Sequence, residues 1–163
     1  MLEARYTNVA ITTYDRRNAF SPWHAIRTIR GMVTTSNSRT RIVIVVEDDR
    51  PIGELLAGVI NDEEGYHAIH VTRPTEALRA MEQVKPDLLV LDVGLPGMSG
   101  LELYDRLHRD ERLRSVPVMF ETAVSRENNA EFRKRGIRNV LQKPFDLNEL
   151  MANVKELAPP IAA

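Results

Sequence analysis

Short apolar runs alternate with longer segments of helical spacing from Arg41 to near the end of the chain. The runs are rich in Val, Ile and Leu, and each is followed by polar or turn-forming residues, as strands commonly are. Five strands are predicted, near residues 42–46, 67–71, 88–92, 117–121 and 139–142. The segments between them repeat apolar residues every three or four positions, which is typical of amphipathic helices. Alternating strands and helices predict βα units around a parallel sheet.

End signals place several helix boundaries. The first helix is predicted to start around Pro51, where a missing N–H costs nothing, and the last is capped by Asp146 and stops before Pro159. The fourth, near residues 126–135, is notably polar, and Ser125 is expected to cap it. Because so few apolar residues face the sheet, we expect this helix to be loosely held.

Polar side chains stand at the ends of four predicted strands. Glu47 and Asp48 follow the first, Asp92 closes the third, Thr122 follows the fourth and Lys143 follows the fifth. The carboxyl ends of parallel strands meet at one edge of a sheet, which is where open α/β sheets bind ligands. Carboxylates without nitrogen or sulfur ligands suit Mg²⁺. For the acids at 47–49 taken alone, a solvated acidic turn is an equal alternative, but the strand before them and the motif at Asp92 favour the metal site.

Four motifs in this order resemble the receiver domain of two-component response regulators. They are Glu-Asp-Asp at 47–49, Leu-Asp-Val-Gly-Leu-Pro-Gly-Met-Ser-Gly at 91–100, Glu-Thr-Ala at 121–123 and Gln-Lys-Pro-Phe at 142–145. The resemblance covers roughly Arg41 to Leu157. It implies a flavodoxin-like, doubly wound α/β fold with a five-stranded parallel sheet in the order 2-1-3-4-5.

The resemblance also implies roles for the acids. Asp92 would be the phosphoacceptor, with Mg²⁺ held directly by Asp48 and Asp92, through water by Glu47, and by the backbone carbonyl of Gly94. Gly94 places no side chain over the site, so water would reach it. We therefore expect slow self-dephosphorylation and a phosphoryl lifetime that is not unusually long.

Two residues would act on the phosphoryl group itself. By resemblance, Lys143 pairs first with Asp92 and then with the phosphoryl oxygens, and Thr122 donates its hydroxyl to one of them. Ala123 would leave space for the group. The Lys143-Pro144 bond is often cis in such domains.

Two positions depart from the family pattern. Val140 stands where an aromatic residue usually couples to the threonine, so activation either runs through the polar fourth helix or is shallow. Glu121 occupies a strand position that is commonly apolar. Strand alternation favours a side chain on the opposite face from Thr122, pointing to solvent, over a further carboxylate near the site.

Composition divides the chain. Its 163 residues, 43% of them hydrophobic, suffice for one well-cored domain plus an extension. We predict a basic, flexible N-terminal extension at 1–40, a receiver domain at 41–158 and a C-terminal stub at 159–163. Residues 1–41 hold seven arginines against two acids, a balance of +5, which leaves −6 for the remainder of a chain of net charge −1.

The extension has three readings: an arm for nucleic acid or an acidic partner, a clamp on the acidic domain, or residues without a task. Met32 as the true start is an equal alternative. There is no cysteine, which excludes disulfides and thiolate metal sites, and no apolar stretch reaches the roughly 20 residues that span a bilayer. A cytoplasmic location is predicted. Four histidines show no metal-ligand spacing and are expected to be ordinary surface or strand residues: His24, His67, His70 and His108.

The expected function is a stand-alone response regulator, a switch rather than an enzyme, phosphorylated by a sensor histidine kinase. It would signal through the fourth helix, fifth strand and fifth helix, a face that also allows a homodimer. No DNA-binding domain and no membrane contact are expected.

Three rival functions stay open. The first is a phosphorelay intermediate or phosphate sink that passes the phosphoryl group to a histidine phosphotransfer protein. The second is an Mg²⁺-dependent phosphohydrolase, which usually has a second acid where Gly94 stands. The third is a degenerate receiver that acts only as a binding module.

Overall fold

A computed structural model describes residues 40–123 and 126–161. Residues 1–39 of the predicted N-terminal extension and the proposed cap Ser125 lie outside these residues. The five strands are β1 (Arg41–Val46), β2 (Tyr66–Val71), β3 (Leu88–Asp92), β4 (Val118–Ala123) and β5 (Val140–Lys143). The five helices are α1 (Arg50–Asn61), α2 (Pro74–Gln83), α3 (Gly100–Arg109), α4 (Arg126–Arg135) and α5 (Leu147–Leu157).

The strands form one parallel sheet in the order β2-β1-β3-β4-β5, which confirms the predicted topology. Strand and helix ends agree with the predicted ones to within one or two residues. In register, Asp92 on β3 lies beside Glu121 on β4, and Phe120 on β4 lies beside Val140 on β5. The register therefore determines which side chains meet at the carboxyl edge.

Helices cover both faces of the sheet, so successive side chains of the central strands are all buried. On β1, Ile44 and Val46 belong to the core beneath α2, α3 and α4, whereas Val43 and Val45 belong to the core beneath α1 and α5. These four side chains are fully buried. This two-sided burial explains why the central strands read as continuous apolar runs rather than alternating ones.

Helix α4 is the most weakly anchored helix in the described part of the chain. Phe132 is its one buried residue, and its ring lies 5.2 Å from that of Phe120 on β4. At its last turn, Arg135 makes two hydrogen bonds of 2.9 Å with the carboxylate of Asp105 on α3. The prediction of a polar helix with few apolar contacts is confirmed, and the structure adds a charged contact to a neighbouring helix.

The C-terminal residues close against the start of the sheet. The Tyr66 hydroxyl donates to the Ala158 carbonyl at 2.7 Å, and the Arg41 guanidinium donates to the Pro159 carbonyl at 2.8 Å. The predicted stub thus begins in contact with the domain. None of the described helices is long and apolar enough to cross a membrane.

The start of α3 approaches the backbone of β3 closely. Ser99 and Glu102 form a capping box at this helix end, and the N–H of Gly100 donates to the Val93 carbonyl at 3.1 Å. A Cβ on Gly100 would lie 2.1 Å from the Asp92 carbonyl oxygen. Glycine here lets the loop after Asp92 fold tightly against the helix.

Replacing Gly100 with Ala should destabilise the fold by about 2 kcal/mol or more, because the clashing atom belongs to the backbone. The control is Gly58→Ala in the exposed interior of α1, where an added Cβ meets nothing within 4 Å. That change should stabilise the protein by about 0.5–1 kcal/mol. Urea unfolding of both variants measures the contrast, and equal effects would contradict the close approach.

Candidate functional site

The carboxyl edge of the sheet brings Glu47, Asp48, Asp92 and Lys143 together, and Thr122 lies at the same edge with its contacts to Ala123 and Asn128. Glu47 and Asp48 follow β1, Asp92 ends β3, Thr122 lies near the end of β4 and Lys143 ends β5. Asp92, Thr122 and Lys143 lie on strands, so the sheet register sets their positions, whereas Glu47 and Asp48 lie in the turn that directly follows β1. The edge therefore presents acids, a hydroxyl and one ammonium on rigid supports.

Three carboxylates could hold a cation. Ligand oxygens of Glu47, Asp48 and Asp92 lie within 4.8 Å of one another. Glu47 is buried, Asp92 is half-buried and Asp48 is exposed, so the cluster opens to solvent on one side. The donors are all hard oxygens with an open side for retained water, which fits Mg²⁺ better than softer metals.

Glu47 is held from several directions. One oxygen accepts from Lys143 Nζ at 2.7 Å and the other accepts from the Asp49 N–H at 3.0 Å. The Glu47 carbonyl lies 2.8 Å from Nε2 of His70 on β2. Gly53 on α1 makes room for this ring, since a Cβ there would lie 2.0 Å from the same nitrogen. His70, which the sequence suggested was an ordinary strand residue, thus supports the site.

Lys143 is shared among three acids. Its Nζ lies 2.7 Å from Glu47, 3.4 Å from Asp92 and 3.8 Å from Glu121. Burial by itself would lower the pKa of Lys143, but the hydrogen bond to Glu47 and the negative charges nearby raise it above its ordinary value. The ammonium is therefore charged and is the counter-ion of the site.

The surroundings of Asp92 leave its carboxylate accessible. The Gly94 N–H donates to Oδ2 of Asp92 at 3.1 Å, which orients the group. A Cβ on Gly94 would lie 3.3 Å from the same oxygen, closer than most side chains tolerate. Gly94 is exposed. The glycine therefore keeps the space over this oxygen open.

Thr122 is 6% exposed, and its hydroxyl already has partners. Oγ1 accepts a hydrogen bond of 3.0 Å from Nδ2 of Asn128 on α4, and donates to the Ala123 carbonyl at 3.1 Å. Nothing in the sequence pattern indicated Asn128. Asn128 is half-buried in the first turn of α4, and only the packing of that turn against β4 reveals its contact with Thr122.

An open apolar groove of about 500 Å³ adjoins the site. It runs between α1 and the segment after β5, and its lining includes Ile52, Leu55, Phe145 and Leu147 together with Lys143. Leu55 is 52% exposed and Ile52 and Leu147 are each 37% exposed, so the groove presents several apolar side chains together to solvent.

A family model for the response regulator receiver domain matches residues 43–155, which is more than half of the chain. The chain belongs to the response regulator receiver family. Receiver domains are phosphoacceptor switches rather than conventional enzymes, interact with histidine kinases and bind Mg²⁺ at an acidic pocket. The acidic cluster found here lies where such a pocket is expected.

The chain covers very different shares of its curated relatives. The receiver is 35% identical over 116 residues to the phosphate regulon transcriptional regulatory protein PhoB of Pseudomonas aeruginosa, covering 71% of this chain and 50% of that protein. It is 32% identical over 117 residues to the polar-differentiation response regulator DivK of Brucella ovis, covering 71% of this chain and 94% of that protein. The chain thus spans about half the length of the PhoB relatives it matches.

Solved structures show the same fold. A response regulator from Chloroflexus aurantiacus superposes with a TM-score of 0.67 at 28% identity, covering 73% of this chain and 98% of that one. The receiver domain of a histidine kinase from Syntrophus aciditrophicus gives a TM-score of 0.68 at 29% identity, covering 73% of this chain and 90% of that one.

Glu121 does not point to solvent. Its side chain lies on the opposite face of β4 from Thr122, as alternation requires, but that face is covered and the residue is 0% exposed. Neither carboxyl oxygen has a hydrogen-bond partner among the described residues, and Lys143 is its ion-pair partner. The expected solvent-facing orientation was wrong because α1 and α5 pack over this side of the sheet in the receiver.

The environment of Glu121 disfavours its charged form. Burial raises the pKa of Glu121 from 4.5 to about 8, and the negative charges of Glu47 and Asp92 add to the rise, while Lys143 opposes it. The folded receiver therefore binds this proton more tightly than the unfolded chain does. Its contribution to stability is present below about pH 4.5 and is lost as the pH rises to about 8.

Replacing Glu121 with Gln should remove this pH dependence. Between pH 5 and pH 9, without Mg²⁺, the wild type should lose about 2–4 kcal/mol of unfolding free energy relative to the variant. Urea unfolding across this range measures the difference. Glu82→Gln, at an exposed position near the end of α2, is the control, and its unfolding free energy should change with pH as that of the wild type does. A difference between Glu121→Gln and wild type that stays constant with pH would contradict the buried-acid assignment.

Proposed function

We propose that this receiver takes a phosphoryl group on Asp92 from a sensor histidine kinase and signals through protein contacts. The observation that carries the proposal is the arrangement around Asp92, where the oxygens of Asp48 and Glu47 lie within 4.8 Å and the Lys143 ammonium lies at 3.4 Å. Acids that can hold a cation and a fixed ammonium are what an anion needs to approach another anion.

The proposed phosphoryl transfer is a nucleophilic displacement at phosphorus. An Asp92 carboxylate oxygen attacks the phosphoryl group, the phosphorus–nitrogen bond of the donor phosphohistidine breaks, and the leaving imidazole keeps the electron pair and takes up a proton. Asp48 and Asp92 would hold Mg²⁺ directly, with Glu47 acting through water and Gly94 through its carbonyl. The ion supplies neutralisation of the charge on the phosphoryl oxygens.

The remaining residues act on the product. Lys143 lies 3.4 Å from Oδ1 of Asp92, so its ammonium is within a short movement of a phosphoryl group on that residue. The Thr122 hydroxyl offers a hydrogen-bond donor to another phosphoryl oxygen. Because the space over Gly94 is open, water can attack the acyl phosphate, so slow self-dephosphorylation is part of the proposal.

Two surfaces suit partners. The apolar groove beside Lys143 adjoins the phosphoacceptor, so we assign it to the donor protein, which must bring its histidine to Asp92. Output is assigned to α4, β5 and α5, the surface on which Val140 is 36% exposed. A homodimer through this face, stand-alone action and a cytoplasmic location belong to the same proposal. The near-complete coverage of DivK favours stand-alone action.

Incubation with acetyl phosphate and Mg²⁺ should add one phosphoryl group to the wild type and none to Asp92→Asn, because the amide is a poor nucleophile. Intact-protein mass measures the product. Asp49→Asn is the control, since Asp49 is an exposed neighbouring acid that caps α1 and Asn preserves that cap. No addition to the wild type at saturating Mg²⁺ would overturn the switch and favour a domain that only binds.

Removing a carboxylate from the cluster should weaken Mg²⁺ binding. Asp48→Asn is expected to raise the dissociation constant at least about tenfold, because Asp48 is assigned as a direct ligand. Asp49→Asn should change it by less than about twofold. Titration calorimetry measures both, and equal effects of the two substitutions would remove Asp48 from the ligand set.

A further inference from the structure

The Thr122 hydroxyl is bound by a residue of a different element. Nδ2 of Asn128, in the first turn of α4, donates to Oγ1 of Thr122 at 3.0 Å. Thr122 is almost completely buried and Asn128 is half-buried, so water competes poorly for this bond. The contact joins the residue assigned to the phosphoryl group directly to a helix of the output surface.

The Thr122 hydroxyl accepts in this bond and keeps its own proton free to donate. A threonine hydroxyl has one proton to donate and two lone pairs to accept. Asn128 fills one lone pair, which leaves the proton for an acceptor, at present the Ala123 carbonyl at 3.1 Å. An anionic phosphoryl oxygen is a stronger acceptor than a carbonyl and would attract the same proton. Asn128 therefore keeps Thr122 ready to donate.

The other contacts of α4 make its first turn the sensitive part. Phe132 packs on Phe120 in the middle of the helix, and Arg135 is held by Asp105 at its end. Asn128 ties the first turn to β4. Since β-branched threonine has few side-chain rotamers, a shift of its hydroxyl cannot be absorbed freely by the side chain alone. The first turn must follow the shift or lose the bond.

We propose that Asn128 is a positioning residue that orients the Thr122 hydroxyl and transmits its movement to the first turn of α4. This inference rests on the proposed function, because the movement is driven by a phosphoryl group on Asp92. Val140 cannot take this role, since it is an aliphatic side chain, 36% exposed, with no group that binds a hydroxyl.

The test compares Asn128→Ala with Asn129→Ala, a matched control because Asn129 is the next residue of the same helix and is exposed. Loss of the positioning bond should slow phosphorylation by acetyl phosphate about three- to tenfold. Amide hydrogen exchange of α4 should respond to phosphorylation in the wild type and in Asn129→Ala, and should no longer respond in Asn128→Ala. A full α4 response in phosphorylated Asn128→Ala would overturn the inference.

A double-mutant cycle separates positioning from a general loosening of the helix. Thr122→Val removes the hydroxyl while keeping the shape, and adding Asn128→Ala to it should have no further effect on phosphorylation rate or α4 exchange. If the effects of the two substitutions on phosphorylation rate and α4 exchange were additive in the double variant, the two residues would act independently and the proposal would be wrong.

The same cycle separates failure of the proposed phosphoacceptor function from failure of the proposed role of Asn128. Without any phosphoryl donor, Thr122→Val and Asn128→Ala should each raise amide exchange at residues 130–132, whose N–H groups donate to the carbonyls of the first turn of α4, by the same factor and again without adding. If the wild type took no phosphoryl group but this pattern held, the proposed function would fail while the positioning contact stood. If phosphorylation occurred and the pattern were absent, the positioning role would fail alone.

Discussion

The ammonium of Lys143 is the interaction on which the site depends. It reaches Glu47 at 2.7 Å, Asp92 at 3.4 Å and Glu121 at 3.8 Å, and the two glutamates are almost completely buried. The negative charges of Glu47 and Asp92 repel one another, and burial of Glu47 removes water that would screen them, while burial of Glu121 disfavours its charged form. One lysine at the end of β5 therefore holds together groups delivered by β1, β3 and β4. The positive charge of Lys143 therefore offsets the repulsion between acids that neighbouring strands hold close together.

Much of this arrangement follows from local sequence rules. In a parallel sheet all carboxyl ends meet at one edge, so strand runs ending in Glu47, Asp92 and Lys143 predict a shared site without tertiary information. Apolar spacing and end signals predicted the helices, and the polarity of α4 correctly indicated that few of its residues are buried. Such features are encoded by neighbours in sequence, which is why a single chain suffices to predict them.

Other features depend on contacts between distant elements. Alternation placed Glu121 opposite Thr122 correctly, but only the packing of α1 and α5 decides that this face is interior. The bond between Asn128 and Thr122 depends on the angle at which α4 leaves β4, and the contact of His70 with Glu47 depends on the β1–β2 register. No periodicity within one element carries that information.

Glu121 and Val140 together change what the switch must do. Under the proposed function, a phosphoryl group on Asp92 has to draw Lys143 away from Glu47 and Glu121, and departure of the ammonium leaves Glu121 without its ion-pair partner. A charged Glu121 in that position is costly, so the phosphorylated state is favoured when this carboxyl is protonated. At the output face, exposed Val140 offers no large side chain to rearrange. The hydrogen-bonded contact with α4 is then the route by which a small movement at Thr122 reaches the surface.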